Sequence, residues 1–137
     1  MMTACGKEEP LATSRDSIDD STITIDLFGK KEKINKIVIT EKEINLDDEK
    51  LKLEKERFEK QSELKIDGFD VKQEETENSI KRITTLDVSN KENINTLVKG
   101  GQLPPIFNTY DELPLNDTVE LFRQSGFSFS NYKNETK

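Results

Sequence analysis

Apolar and polar side chains alternate most regularly in the stretch STITIDLF, where Ile23, Ile25 and Leu27 are each separated by one polar residue. A period of two is typical of a half-buried strand. Gly29-Lys30-Lys31 then supplies a turn, and the following stretch KINKIVITEKEI is rich in β-branched residues. The pattern predicts an antiparallel hairpin of two strands.

The next segment has the composition of a helix. From Asp47 to about Leu64 the chain lacks Gly and Pro and is rich in Lys, Glu and Leu, which favours helix. Asn45 or Asp47 is a suitable N-cap. The apolar side chains occupy one sparse face, so we expect this helix to pack on one side only.

A second strand pair and a short helix follow Gly68, which ends the first helical unit. The stretches FDVKQEETE and SIKRITTLDV resemble a hairpin, although their alternation is weaker. Ser89 and Glu92 have the spacing of a capping box, with Ser89 as N-cap. Gly100-Gly101 is expected to end the helix that they begin.

The stretch QLPPIFNTYDELP is predicted to be a loop, because its prolines remove backbone donors. Ile106, Phe107 and Tyr110 are unusually apolar for a loop. Two interpretations stay open: these side chains pack over an edge of the core, or they contact a ligand or a partner. They are our only candidates for a binding site.

A last helix is predicted in the stretch DTVELFRQS, opened by Leu115 or Asn116. Gly126 is the expected C′ residue, and Phe127 is expected to contact the helix end as the C″ residue.

The order of elements is ββαββα followed by a C-terminal helix. It predicts an α+β fold: an antiparallel four-stranded sheet made of two hairpins, with the helices packed on one face. We assign 1–20 to a truncated signal segment with a disordered tether, since 6–20 has few apolar side chains. A single domain spans 21–130, and 131–137 is a polar tail.

Composition narrows the function classes. Of 137 residues, 36% are charged and 31% hydrophobic, and the net charge is −7. This charge argues against nucleic-acid binding and against electrostatic attraction to anionic lipids. There is no His and one Cys, and no apolar stretch approaches the roughly 18 residues of a membrane span. Because the paired carboxylates lie in charged segments, we predict no enzyme, cofactor or metal site. We also expect a monomer.

The single cysteine, Cys5, has the surroundings of a lipid attachment site. Thr3-Ala4-Cys5-Gly6 resembles a bacterial lipobox, with Met2 in the place of the preferred Leu, and a charged run that contains Pro10 follows. The thiol would accept a diacylglyceryl group, whose two chains give stable anchoring. We therefore predict a lipoprotein on the outer face of the cytoplasmic membrane, acting as a binding module.

Only four residues precede Cys5, fewer than the basic and apolar regions of a signal peptide need. The lipoprotein interpretation therefore expects the true start to lie upstream of Met1. The alternative is a soluble, cytoplasmic, acidic interaction domain in which Cys5 occurs by chance.

Three stretches carry a resemblance to a known family. They are Cys5-Gly6-Lys7-Glu8, the segment GFDVKQEETENSIKRITTLDVSNKENINTLV and the segment LPLNDTVELFRQSGF. In this order the chain resembles the YehR-like family of small bacterial lipoproteins over most of 5–129. The resemblance implies a lipid anchor at Cys5 and the α+β fold. It implies no enzymatic activity, and no active-site residue is carried over from it.

Overall fold

The structure is a computed structural model that describes residues 9–130. Within this range the chain forms seven strands, three α-helices and one 3₁₀ helix. The strands are β1 (Ala12–Ile18), β2 (Ser21–Lys30), β3 (Lys33–Glu43), β4 (Phe69–Glu75), β5 (Ile80–Asp87), β6 (Leu113–Pro114) and β7 (Phe129–Ser130). The helices are α1 (Asp48–Ser62), α2 (Lys91–Lys99), the 3₁₀ helix (Pro105–Thr109) and α3 (Leu115–Gln124). The predicted α+β class is confirmed.

All seven described strands belong to one antiparallel sheet, in the order β4-β5-β3-β2-β1-β7, with β6 paired to β3. The two predicted hairpins are β2–β3 and β4–β5, and they join through the pairing of β3 with β5. The expected four strands therefore form the middle and one edge of the sheet. The prediction missed β1, β6 and β7, of which the last two are only two residues long.

The segment predicted to be a disordered tether contains a strand, so that prediction is wrong for 12–18. Strand β1 pairs along its whole length with β2, from Ala12 opposite Leu27 to Ile18 opposite Ser21. Its alternation went unnoticed because the two side chains that point into the core, Ala12 and Ser14, are small. The folded domain therefore begins before residue 21.

One face of the sheet carries the core, as the sequence predicts. Leu27, Ile37 and Leu86 are paired across three neighbouring strands, Ile25 lies two residues before Leu27 on the same face, and all four are at most 2% exposed. Residues of α2, the 3₁₀ helix and α3 cover them: Ile94, Leu97, Phe107 and Val119. The other face is mainly polar and half exposed.

Helix α1 packs on the same sheet face through polar contacts. The structure describes all of α1, and none of its side chains is buried. Arg82, only 4% exposed, lies four residues before Leu86 on β5 and so points to the core side. Its guanidinium donates to Glu54 Oε1 at 3.0 Å and to Gln73 Oε1 at 2.9 Å. This buried ion pair ties α1 to β4 and β5.

Two predicted boundaries are displaced by one to three residues. The β2–β3 turn lies at Lys31 and Glu32, whose φ angles of 51° and 66° suit a two-residue hairpin turn, and Gly29 lies at a bulge inside β2. Helix α2 is capped by Asn90, whose side chain accepts from the backbone N–H of Asn93, so the predicted Ser89 cap is wrong.

The other helix ends agree with the sequence. Asp47 caps α1 by accepting from the backbone N–H of Lys50 at 2.8 Å. Helix α3 begins at Leu115. Gly126 has a φ of 103°, and the N–H of Phe127 donates to the carbonyl of Phe122 at 3.1 Å. That bond is the long one of a Schellman motif, as the predicted C′ and C″ roles require.

Candidate functional site: an apolar groove beside the last helix

The three candidate residues lie in or beside the 3₁₀ helix, but they have different environments. Phe107 is 1% exposed and belongs to the core, whereas Ile106 is 50% exposed. Tyr110 is half-buried and packs against the core edge. The 3₁₀ turn separates Ile106 from Phe107 because successive side chains on a helix point in different directions.

Ile106 and Phe107 line a groove between the 3₁₀ helix and the C-terminal part of α3. Its volume is about 400 Å³. The lining residues are uncharged: Pro104, Ile106, Phe107, Leu121, Phe122, Gln124, Ser125 and Phe127. The size is within the usual range of about 300–1,000 Å³ for ligand pockets, which are mostly apolar with a few polar groups. The groove can therefore desolvate an apolar group without burying a charge.

Packed phenylalanines form the floor of the groove. The ring of Phe122 lies 6.3 Å from that of Phe107, 6.2 Å from that of Phe127 and 5.9 Å from that of Phe129, measured between centroids. These are ordinary distances for tilted and edge-to-face aromatic pairs. The cluster joins the 3₁₀ helix, α3 and β7, so the groove lies over aromatic contacts between three elements.

Phe127 also borders a second apolar depression, of about 210 Å³, at the outer part of β1 and β2. Ile18 and Ile23 line it together with Asp16 and Ser21. Ile18 is 73% exposed, the largest value among the exposed large apolar side chains of the described residues. The two depressions share Phe127 as a lining residue.

Tyr110 lies outside the groove lining. Its hydroxyl donates to Asp117 Oδ2 at 3.1 Å. Desolvation raises the pKa of Tyr110, and the hydrogen bond and the charge of Asp117 raise it further. The contact fixes the loop after the 3₁₀ helix to the first turn of α3, so this tyrosine holds one wall in place.

A larger depression, about 810 Å³, adjoins the second one at the turn between β1 and β2, where Ile18 and Ser21 line both, but its chemistry is less specific. It is polar and contains Asp19, Asp20 and Glu43. Asn45 donates to Asp20 Oδ1 at 3.3 Å and its own φ is 59°. Across residues 9–130 no group of three or more His, Cys, Asp or Glu is arranged to hold a metal ion.

Cys5 lies outside the described residues, so the structure gives no information on the predicted lipid site. Among the described helices, none is long and apolar enough to cross a membrane.

Sequence reasoning found one wall of the groove and missed the other. Leu121 is half-buried and lies outside the buried stripe of α3, which is formed by Leu115, Thr118 and Val119. An apolar residue outside the core stripe was the available signal. The position of Phe127 was predicted as a helix end contact, but its place between two depressions depends on β1, which was not predicted.

Comparison with known proteins shows the fold. No family model matches the chain, and no curated protein matches it. The solved structure of the Escherichia coli YehR protein superposes with a TM-score of 0.63 at 14% identity, covering 94% of this chain and 95% of that chain. A Streptococcus pneumoniae protein superposes with a TM-score of 0.55 at 13% identity, covering 95% and 90%. The chain therefore has a YehR-like fold.

Proposed function

We propose that this protein is a bacterial lipoprotein of the YehR-like family, anchored through Cys5 to the outer face of the cytoplasmic membrane. Its role is that of a binding module without enzymatic activity. The support is the Thr3-Ala4-Cys5-Gly6 motif together with the full-length likeness of the fold to YehR. In the alternative, a cytoplasmic interaction domain, the fold is the same but the thiol of Cys5 carries no lipid.

The observation that carries the binding role is the uncharged apolar groove at Ile106. We assign to it an apolar side chain presented by a partner protein, because Ile106 leaves apolar surface exposed at the groove and Ile18 does so at the neighbouring depression, which shares Phe127. Deep apolar anchors of this kind supply most of the energy of protein interfaces.

The anchor is tested by mass spectrometry of the N-terminal peptide of protein purified from its own cells. We expect a peptide that begins at Cys5 and carries the diacylglyceryl mass. An unmodified peptide beginning at Met1 or Met2 contradicts the lipoprotein and leaves the cytoplasmic alternative.

The groove is tested by NMR titration of the ¹⁵N-labelled chain with N-acetylphenylalaninamide as the probe. We expect shift changes at Ile106, Leu121, Phe122 and Phe127. Ile106→Asp puts a charge at the exposed rim and should weaken probe binding at least tenfold. Leu53→Asp is the matched control, because Leu53 is 57% exposed on α1; it should bind the probe like the wild type.

Shift changes spread evenly over the surface would contradict the binding role. A fatty acid such as decanoate that binds the groove orders of magnitude more tightly than the amide would contradict the protein partner and assign the groove to a small apolar ligand.

A further inference from the structure

The charged residues of the described chain are separated between the two ends of the sheet. At one end lies the tip of the β2–β3 hairpin, where Lys30, Lys31 and Lys33 are exposed and the acidic residues are Glu32 in the turn and Glu112 beside Lys33. Lys33 is 63% exposed while it pairs with Glu112 at 2.7 Å. The tip is therefore locally basic in a protein whose net charge is −7.

The opposite end is acidic. The register places Ile18, Ser21, Glu43, Ile80 and Glu75 in one row across five strands. The turns that leave this row, and the start of α1 beside them, carry the acidic residues Asp19, Asp20, Asp47, Asp48 and Glu77. The exposed basic residues near this end include Lys42, Lys50, Lys81 and Lys55, which pairs with Glu75 at 3.8 Å.

The two ends are too far apart to cancel each other. Strand β2 has ten residues, which at about 3.3 Å per residue makes about 30 Å. The Debye length at physiological ionic strength is about 8 Å. A charged surface that meets the hairpin tip therefore interacts with the lysines and is screened from the carboxylates, so the net charge does not decide its binding.

The N-terminal segment leads to the basic end. Ala12, the first residue of β1, pairs with Leu27, and the N–H of Leu11 donates to the carbonyl of Leu27 at 2.7 Å. Three residues beyond Leu27, β2 ends at Lys30. Ala12 is seven positions after Cys5, and seven steps of about 3.5 Å span at most about 25 Å. A membrane anchor at Cys5 would hold the hairpin tip within reach of the lipid surface.

We propose that the β2–β3 hairpin tip docks on anionic phospholipid headgroups through Lys30, Lys31 and Lys33. The inference rests on the proposed anchor at Cys5. In the docked orientation the hairpin tip contacts the membrane, β1 and β2 extend away from the bilayer, and the acidic end of the sheet lies in solution. Each lysine near an anionic bilayer raises the equilibrium constant for docking about fivefold. Glu32 and Glu112 offset two of the three lysines, so the docked orientation is favoured about fivefold.

The test supplies the anchor chemically, so it does not depend on lipidation in cells. The full chain is coupled through its single thiol, Cys5, to a maleimide lipid in vesicles of phosphatidylcholine with or without 30% phosphatidylglycerol. Amine acylation of each lysine is then followed by mass spectrometry. On anionic vesicles we expect labelling of the three tip lysines to slow about fivefold, and that of Lys42 and Lys81 to stay unchanged.

Added salt at 0.5 M should remove the protection. Equal labelling rates on both vesicle types, or protection of Lys42 and Lys81 instead, would overturn the docking while leaving lipidation of Cys5 to its own test. Equal protection on neutral vesicles supplied with soluble polyphosphate would overturn it too, by assigning the lysines to a soluble polyanion.

A matched pair of variants isolates the charge effect, with amide hydrogen exchange at Lys31 and Glu32 as the readout. In the coupled wild type this exchange should slow on anionic vesicles. The variant K30Q/K31Q/K33Q should lose the slowing. The variant K42Q/K50Q/K81Q changes the net charge equally at the other end and should keep it; a loss in both variants would contradict a site at the tip.

Discussion

A single buried charge, Arg82, explains why an otherwise polar helix stays on the sheet. Its side chain is 5% exposed, and the side chain of its partner Glu54 is 13% exposed. A buried ion pair adds little compared with an apolar replacement of similar volume, but removing one partner leaves an uncompensated charge. The two residues are therefore expected to respond very differently to substitution.

Glu54→Ala should lower the free energy of unfolding by about 3 kcal/mol, because it leaves Arg82 buried without its counter-charge. Arg82→Met should cost less than Glu54→Ala. Urea denaturation followed by circular dichroism measures both. Glu120→Ala removes an exposed pair with Arg123, 54% exposed on both sides, and should cost under about 0.5 kcal/mol. Similar losses for Glu54→Ala and Glu120→Ala would contradict the buried role.

Asp87 gives the stability a dependence on pH. The Ser89 hydroxyl donates to its carboxylate, and the backbone N–H of Ser89 donates at 3.0 Å; these bonds, the hydroxyl first, lower the pKa of Asp87 below its ordinary value of 3.8. A lowered pKa stabilises the fold above the unfolded-state value and loses that contribution as the pH falls through the folded-state value.

Asp87→Asn should therefore lower the free energy of unfolding at pH 7, by at most about 1 kcal/mol because the carboxylate is exposed. The difference from wild type should shrink below about pH 4. Urea midpoints between pH 7 and pH 2.5 measure it, with the exposed Asp67→Asn as control. A difference that grows on acidification would contradict the assignment.

At the scale of the element, helix ends were easier to predict than strands. Asp47, Gly101 and Gly126 act through one or two local backbone positions, which the sequence shows directly. Strand β1 lacks that kind of signal: it is held by backbone pairing with β2, and its inward side chains are small or polar. Its existence depends on a partner that only the tertiary structure supplies.

Gly126→Ala tests the end of α3. The φ of 103° strains any residue with a Cβ, and no other atom lies within 4 Å of the added methyl, so the cost is purely that of the backbone. We expect a loss of about 1–2 kcal/mol in stability. Ser125→Ala, one residue earlier, should be nearly neutral by the same denaturation measurement. Since Gly126 places Phe127, the variant should also bind N-acetylphenylalaninamide more weakly; unchanged probe affinity would contradict that placement.

At the scale of the whole molecule, the class of fold could be predicted and the extent of the domain could not. The alternation at Ile25 and Leu27 identified the core face correctly. Composition alone, however, assigned the polar segment 12–18 to a tether. The groove was half visible, because Ile106 stands out in its loop, whereas Leu121 and Phe127 face it only once α3 is packed.

Truncation tests the extent of the domain. A chain that begins at Ser21 lacks β1 and exposes Ile25 and Leu27, so it should lose most of a stability that is usually about 5–15 kcal/mol in total. A chain that begins at Glu9 keeps β1 and should unfold at the wild-type urea concentration. Cooperative, wild-type-like unfolding of the Ser21 chain would show that β1 is dispensable.

The pairing of β1 with β2 also determines how the domain bears mechanical load. A pull that arrives through the N-terminal segment acts along the axis of β1, in which seven consecutive residues pair with β2. A force applied at the first residue of β1 and directed along the strand loads all of these hydrogen bonds at once, in shear. It does not break them one after another, as a force perpendicular to the strand would. Rupture under force is governed by the unfolding rate, and we expect it to be slower from this end than from the C-terminus, where β7 pairs with β1 through only two residues.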